Sequence, residues 1–140
     1  MFSLKRATIE DMLGIMDLLL LVDGDTDNIK PEEFLVAKDI NNNLLGCGRL
    51  KKYPNCIEVA SIAVYPPYRK IGVASNIITN LVESTKEKLW LLCEKALVPF
   101  FEKMGFVIYK GLVHQDIWNK YQNMLKVYNM PPGVMIYDRN

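Results

Sequence analysis

The stretch Ile62-Ala-Val-Tyr-Pro-Pro-Tyr-Arg-Lys-Ile-Gly-Val-Ala-Ser75 holds the side chains and spacing most suited to chemistry. An apolar run ends at Val64, two prolines stop any ladder, and a helical period opens at Gly72. The first N–H groups of a helix have no partner within it, and the aligned peptide dipoles make that end locally positive. Glycine at position 72 removes a Cβ that would hold an anion off, Ala74 keeps the next wall low, and Arg69 and Lys70 add full charges. The expected chemistry is a cradle for a phosphate or pyrophosphate. It is not a Walker A loop, because no Gly-Lys-Ser/Thr follows, and it has only one of the three glycines of a dinucleotide fingerprint.

Glu58 is a second candidate. It interrupts an otherwise apolar strand four residues before Ile62, and strict alternation would put it on the face of Ile62 and Val64. A carboxylate there could take a proton from a reacting group. Asp23-x-Asp-x-Asp27 invites a calcium reading, but an EF-hand would need glycine at Asn28 and glutamate at Phe34. It is expected to be a solvated acidic loop. Cys47, Cys56 and Cys93 form no C-x-x-C pair and His114 is the only histidine, so neither a disulfide framework nor a zinc site is expected, and no other metal. Cys93 reads as a buried apolar residue rather than a nucleophile.

These residues need a scaffold. Residues 2–7 read as a strand, and Thr8 with Asp11 as a helix start, followed by apolar positions at helical spacing over 9–22. Phe34–Lys38, Leu44–Lys52 and Cys56–Val64 are strands joined by short turns, hence antiparallel neighbours. An amphipathic helix runs from Gly72 to about Lys88, and Leu89–Cys93 is a continuous apolar strand covered on both faces. A helix holding Phe100, Phe101 and Met104 stops at Gly105, and Phe106–Lys110 is a strand. A helix over 115–128, with Ile117, Trp118, Tyr121, Leu125 and Tyr128 as its apolar side, precedes a final strand at Val134–Tyr137. The order β-α-β-β-β-α-β-α-β-α-β predicts an α/β (α+β) domain with a mixed sheet of about seven strands flanked by helices.

The chain has 140 residues, expected to form one domain over 1–140. Seventeen Lys and Arg against sixteen Asp and Glu leave a charge of +1, which offers no general field for nucleic acid. No apolar run approaches the roughly 20 residues of a membrane span. No leader pattern opens the sequence, and a cytoplasmic protein is expected.

In this order of elements, Ile62–Ser75 resembles the acyl-CoA-binding motif of the GNAT superfamily of N-acetyltransferases. The resemblance extends over Phe34–Lys38, Leu45-Gly-Cys-Gly-Arg-Leu50, Glu58–Val64, Leu89–Cys93 and Phe100-Phe-Glu-Lys-Met-Gly-Phe106. More loosely, the Gly-Cys-Gly and the double Phe are similar to the N-acetylglutamate synthase branch. The resemblance implies the acyl-CoA N-acyltransferase fold and acetyl-CoA as co-substrate. Backbone amides of Lys70, Ile71, Gly72, Val73, Ala74 and Ser75 would hold the CoA pyrophosphate beside Arg69. The pantetheine arm would lie along Ile62, Ala63 and Val64, where that strand splays from the one at 89–93. An amide near Ile62 or Ala63 would face the oxyanion. Transfer would be direct, to the primary amine of a small molecule or an amino acid, with Glu58 as the base.

Two positions depart from the family pattern. The usual tyrosine acid falls on Phe101, leaving Tyr109, solvent or unassisted departure of a thiolate, and the usual asparagine falls on Glu94. The segment after the first helix would border the acceptor, whose amine could favour the acidic loop or whose carboxylate could be met by Arg49, Lys51 or Arg6. A CoA-binding regulatory module with little turnover and a protein N-terminal acetyltransferase are the alternatives. Nothing in the pattern calls for nucleic acid or membrane as a partner, and a homodimer is compatible with it.

Overall fold

The computed structural model describes residues 1–139. Its main elements are β1 (Ser3–Arg6), α1 (Met12–Leu21), β2 (Phe34–Lys38), β3 (Leu44–Lys52), β4 (Ile57–Val64), α2 (Val73–Glu83), β5 (Leu89–Cys93), α3 (Val98–Lys103), β6 (Val107–Ile108), α4 (Gln115–Tyr128) and β7 (Gly133–Tyr137). The strands form a seven-stranded mixed sheet in the order β1-β2-β3-β4-β5-β7-β6, flanked by four helices. Two compact units contribute to it: residues 1–51 with 59–85, and residues 52–58 with the chain from Lys86 onward. Among the described residues no helix is long and apolar enough to cross a membrane.

In the first unit β1 pairs antiparallel with β2, and β2 with β3. Thr8 opens the first helical turn as the sequence predicts, its N–H donating to Asp11 Oδ2 at 2.8 Å. That turn is a 3-10 turn over Ile9–Asp11, and α1 follows it. Ile15, Leu18 and Leu19 of α1 pack on Phe34, Val36, Cys47 and Ala63, all buried. On the other face of β3 lie Gly46 and Gly48. A Cβ on Gly46 would stand 2.9 Å from the Ala63 carbonyl oxygen and from Val73 Cγ1, and one on Gly48 would stand 2.5 Å from Ile62 Cδ1 and 2.7 Å from Ile77 Cγ2. The Gly-Cys-Gly run therefore has a packing cause: its two glycines let α2 settle close on the sheet.

Helix α2 ends at Glu83, earlier than its amphipathic pattern suggests. Ser84 Oγ donates to the Leu81 carbonyl at 2.6 Å, and this local bond competes with helix continuation.

In the second unit β7 pairs antiparallel with both β5 and β6. All five residues of β5 are buried, matching its unbroken apolar run. Only Val107 and Ile108 form β6, fewer than the Phe106–Lys110 expected. Helix α4 spans the residues expected of it, but its packed side is different. Ile117 is buried with Trp90, Leu92 and Ile136, joined by Val113, Tyr121 and Met124, whereas Trp118, Leu125 and Tyr128 are exposed. Trp118 instead stacks on Tyr121, with ring centres 5.0 Å apart.

Candidate functional site

The turn after β4 is built mainly from backbone. Pro66–Tyr68 form a 3-10 turn, and Arg69 folds back so that its Nε donates to the Val64 carbonyl at 3.1 Å. Lys70 (φ 70°) and Gly72 (φ 89°) both take the left-handed conformation, and Gly72 is the N-cap of α2. A Cβ on Gly72 would meet nothing closer than Asn76 Nδ2 at 3.4 Å, so the conformation, more than local crowding, calls for glycine here. The Gly72 carbonyl accepts from the Asn76 N–H at 3.0 Å and from Asn76 Nδ2 at 2.7 Å, which fixes the first turn. The N–H groups ahead of Asn76 are the orphan donors of a helix start. Left-handed residues beside a helix start favour backbone N–H groups that gather toward an anion. Lys70 and Ile71 are exposed beside it. Orphan N–H groups with an exposed cation beside them are the chemistry of an anion site.

Upstream, β4 is not a regular strand. Ser61 has φ 56°, a conformation that costs a non-glycine residue about 1–2 kcal/mol. The hairpin closes where the Tyr53 N–H bonds the Cys56 carbonyl and pairs again where the Tyr65 N–H bonds the Leu45 carbonyl. Between these points β4 holds one residue more than β3, which is a β-bulge. The bulge corrects the expectation that Glu58 shares a face with Ile62 and Val64. Residues before and after the extra one are out of phase, so Glu58 points to the opposite side of the strand.

The bulge is tied down by side chains. Arg49 is fully buried and its Nε donates to Ser61 Oγ at 2.9 Å. Ser61 Oγ donates in turn to the Asp25 carbonyl at 2.7 Å, and Cys47 Sγ donates to the Ser61 carbonyl at 3.5 Å. The rest of the Arg49 guanidinium reaches the Asp27 carbonyl (2.8 Å), the Asn28 carbonyl (3.3 Å) and Glu33 Oε1 (3.2 Å), and pairs with Asp25 Oδ1 at 3.4 Å. Lys51 pairs with Asp25 and Asp27. The acidic loop is thus not simply solvated. Asp25 and Glu33 neutralise two buried cations, and Arg49 and Lys51 are engaged with the loop rather than presented to an acceptor carboxylate. Arg6, the third residue considered for that task, is exposed on β1.

Glu58 belongs to the second unit and is completely buried. Its Oε1 accepts from Tyr53 Oη at 2.9 Å, and its Oε2 pairs with Lys120 Nζ at 2.5 Å. Two of the roughly four lone-pair positions of the carboxylate are thereby used. The sequence reading missed both partners. Tyr53 sits at the hairpin turn, while Lys120 lies 62 residues away on α4, where no local pattern could announce it. Cys56 lies in the same electrostatic neighbourhood: burial, reinforced by Asp116 and Glu58, pushes its thiol up to about 11.

A model of the acetyltransferase (GNAT) family matches residues 14–106. The chain belongs to that family. Solved GNAT-fold structures extend the likeness over almost the whole chain. N-acetylglutamate synthase from Neisseria gonorrhoeae, complexed with coenzyme A and N-acetyl-glutamate, is 18% identical with a TM-score of 0.79. It is aligned over 99% of this chain but only 36% of its own, so the chain spans about a third of that enzyme. A Mycobacterium tuberculosis protein in complex with CoA is 19% identical over 99% of both chains, with a TM-score of 0.77. Escherichia coli ElaA is 14% identical, over 99% of this chain and 100% of its own, with a TM-score of 0.73. At these identities the likeness is one of fold. No curated protein matches the chain.

Of the two departures, the one at Phe101 has a structural cause. Phe101 is buried, edge-on to Phe100 (5.1 Å between ring centres) and to Phe106 (5.8 Å). Position 101 is thus part of the apolar packing, which explains a side chain without a hydroxyl. The Tyr109 hydroxyl donates to the Leu112 carbonyl at 2.8 Å and is committed to its own turn. Glu94 is exposed. Cys93 is buried, and burial with a smaller push from Glu94 raises its thiol to about 11, so it holds almost no thiolate at neutral pH. Cys47 rises to about 12, chiefly through burial. Among the described residues no cluster of three or more His, Cys, Asp or Glu could hold a metal.

Proposed function

We propose that the chain is a single-domain N-acetyltransferase that moves an acetyl group directly from acetyl-CoA to a primary amine of a small molecule or an amino acid. The observation that carries this reading is Gly72, held at φ 89° as the N-cap of α2 immediately after the turn that ends β4. There the N–H groups of Lys70 to Ser75 would hold the pyrophosphate, with Arg69 and Lys70 supplying charge. Ile62, Ala63 and Val64 would run along the pantetheine arm. The Ile62 N–H, which follows the bulge, would face the negative charge that develops on the acetyl oxygen.

The amine must lose a proton before it attacks. Glu58 has unused lone pairs but no exposed surface, so in this reading it accepts that proton through a water molecule. A thiolate needs less help to leave than most groups, because a thiol's ordinary pKa is only about 8.5. With Phe101 packed and Tyr109 bonded, solvent is the proton source. A cytoplasmic setting suits the three free thiols.

The packed Phe101 favours one competing reading, a CoA-binding module with little turnover. Thiol release from acetyl-CoA, measured across a panel of amines, amino acids and peptides, separates the three functions. A small-molecule transferase releases thiol with amines or amino acids, and a protein N-terminal acetyltransferase releases it with peptides only. A regulatory module binds CoA and releases none.

A further inference from the structure

The buried network around Ser61 joins two parts of the first unit that the sequence keeps apart. One is the bulge in β4, whose next residue is Ile62. The other is the loop from Asp23 to Glu33, which follows α1. A single guanidinium reaches both, through Nε to Ser61 Oγ and through its other nitrogens to Asp25, Asp27, Asn28 and Glu33. Ser61 closes the circuit by donating to the Asp25 carbonyl.

The arrangement is more elaborate than charge burial alone requires. Arg49 could be neutralised by Asp25 and Glu33 with Ser61 left out. Instead the residue in the strained conformation has its hydroxyl caught between the guanidinium and the loop backbone, and its carbonyl accepts from Cys47. The hydroxyl and the carbonyl of Ser61 are thus both held against relaxation toward ordinary strand geometry. Because φ and ψ at Ser61 set the direction of the following peptide, they also set where the Ile62 N–H points.

We propose that Arg49 is a positioning residue: one buried side chain sets both the Ser61 bulge, and with it the Ile62 amide, and the loop at Asp23–Glu33. This rests on the acetyltransferase reading, in which that amide is the oxyanion donor and that loop borders the acceptor. Ordering the loop and aiming the amide then become one event. A disturbance on the acceptor side is felt at the reacting carbonyl, while the cradle at Gly72, built on a different turn, is not involved.

The test compares the wild-type chain with Ser61→Ala, Ser61→Gly and Arg49→Lys, by amide hydrogen exchange and by steady-state kinetics with an active amine from the panel. Ser61→Ala keeps the Cβ and loses the hydroxyl, whereas Ser61→Gly loses the hydroxyl but accepts positive φ without strain. Exchange should quicken together over 23–33 and 57–64 in Ser61→Ala and Arg49→Lys and stay at the wild-type level over 73–83. The kcat should fall about tenfold or more in Ser61→Ala with KM for acetyl-CoA unchanged, and Ser61→Gly should recover part of the loss. If Arg49→Lys does not fold, the Ser61 pair decides. Unchanged exchange over 23–33 in Ser61→Ala would overturn the proposal, as would a kcat equal to wild type, or equal losses in Gly and Ala variants. A wild type that binds CoA but acetylates nothing would end the acetyltransferase reading itself, and the exchange pattern would report separately whether the link between loop and bulge exists.

Discussion

The proposed anion cradle at Lys70–Ser75 and the buried network at Arg49 are built in opposite ways. The cradle is mostly main chain: two left-handed residues, a helix start and exposed cations within a few positions of one another. The network is mostly side chain, buried, and assembled from residues up to 36 positions apart in the sequence. A backbone site depends on which residues can adopt its dihedral angles, so a single glycine marks it. A side-chain site depends on tertiary packing, so each of its members looks ordinary until the chain is folded. The cradle should therefore fail through local changes of conformation with the fold intact, and the network through loss of stability.

The largest expected effect is on the network. Arg49→Met removes the buried guanidinium from Glu33 and one of the two cations from Asp25, which keeps Lys51, and breaking such a buried pair costs about 3–5 kcal/mol. Urea melts should show the loss, and a variant within 1 kcal/mol of wild type, about the spread of an ordinary surface change, would mean that water replaces the guanidinium. A change at the cradle costs, without ligand, only the strain of a left-handed non-glycine residue, about 1–2 kcal/mol. Gly72→Glu places a side chain at φ 89° and a negative charge where an anion would sit. It should abolish the stabilisation by CoA, which for wild type is about 2.7 kcal/mol at a ligand concentration 100 times Kd.

Glu58→Gln probes a third kind of site, a buried carboxylate with two donors. Its rate should fall about 10²-fold at neutral pH with CoA affinity unchanged, the ordinary size of a general-base effect. The deficit should narrow as pH rises and the amine arrives already deprotonated. A rate equal to wild type at every pH would leave Glu58 as nothing more than the partner of Lys120.

Phe101→Tyr has the smallest expected effect. The added hydroxyl enters an apolar cluster with Phe100 and Phe106 and should cost about 1–3 kcal/mol of stability with no gain in turnover. Faster turnover in this variant would show that position 101 reaches the leaving sulfur after all.

The same contrast governs what could be read in advance. Strands β2, β3 and β5 and helix α4 fall on the residues expected, because apolar period and turn residues are local signals. The helix start at Gly72 was legible for the same reason. The bulge was not: Ser61 carries no mark of a left-handed conformation, and only the tie to Arg49 and Asp25 explains why a serine adopts it. That one unseen residue turned Glu58 to the other side of β4. The apolar side of α4 was misjudged because Trp118, Leu125 and Tyr128 are apolar by type yet exposed, while Met124 packs. The double Phe was visible as a motif, but that Phe101 is core and not an emptied acid position depends on Phe106, which only the fold brings against it.

The claim on which the account turns is that the start of α2 holds the diphosphate part of CoA. Thermal melts of the wild-type protein with CoA and, separately, with pantetheine, which lacks the pyrophosphate and the nucleotide, test it most directly. The account predicts that CoA raises the melting temperature in a dose-dependent way, that pantetheine at the same concentration does not, and that Gly72→Glu erases the difference. No shift with millimolar CoA, or an equal shift with pantetheine, would contradict it.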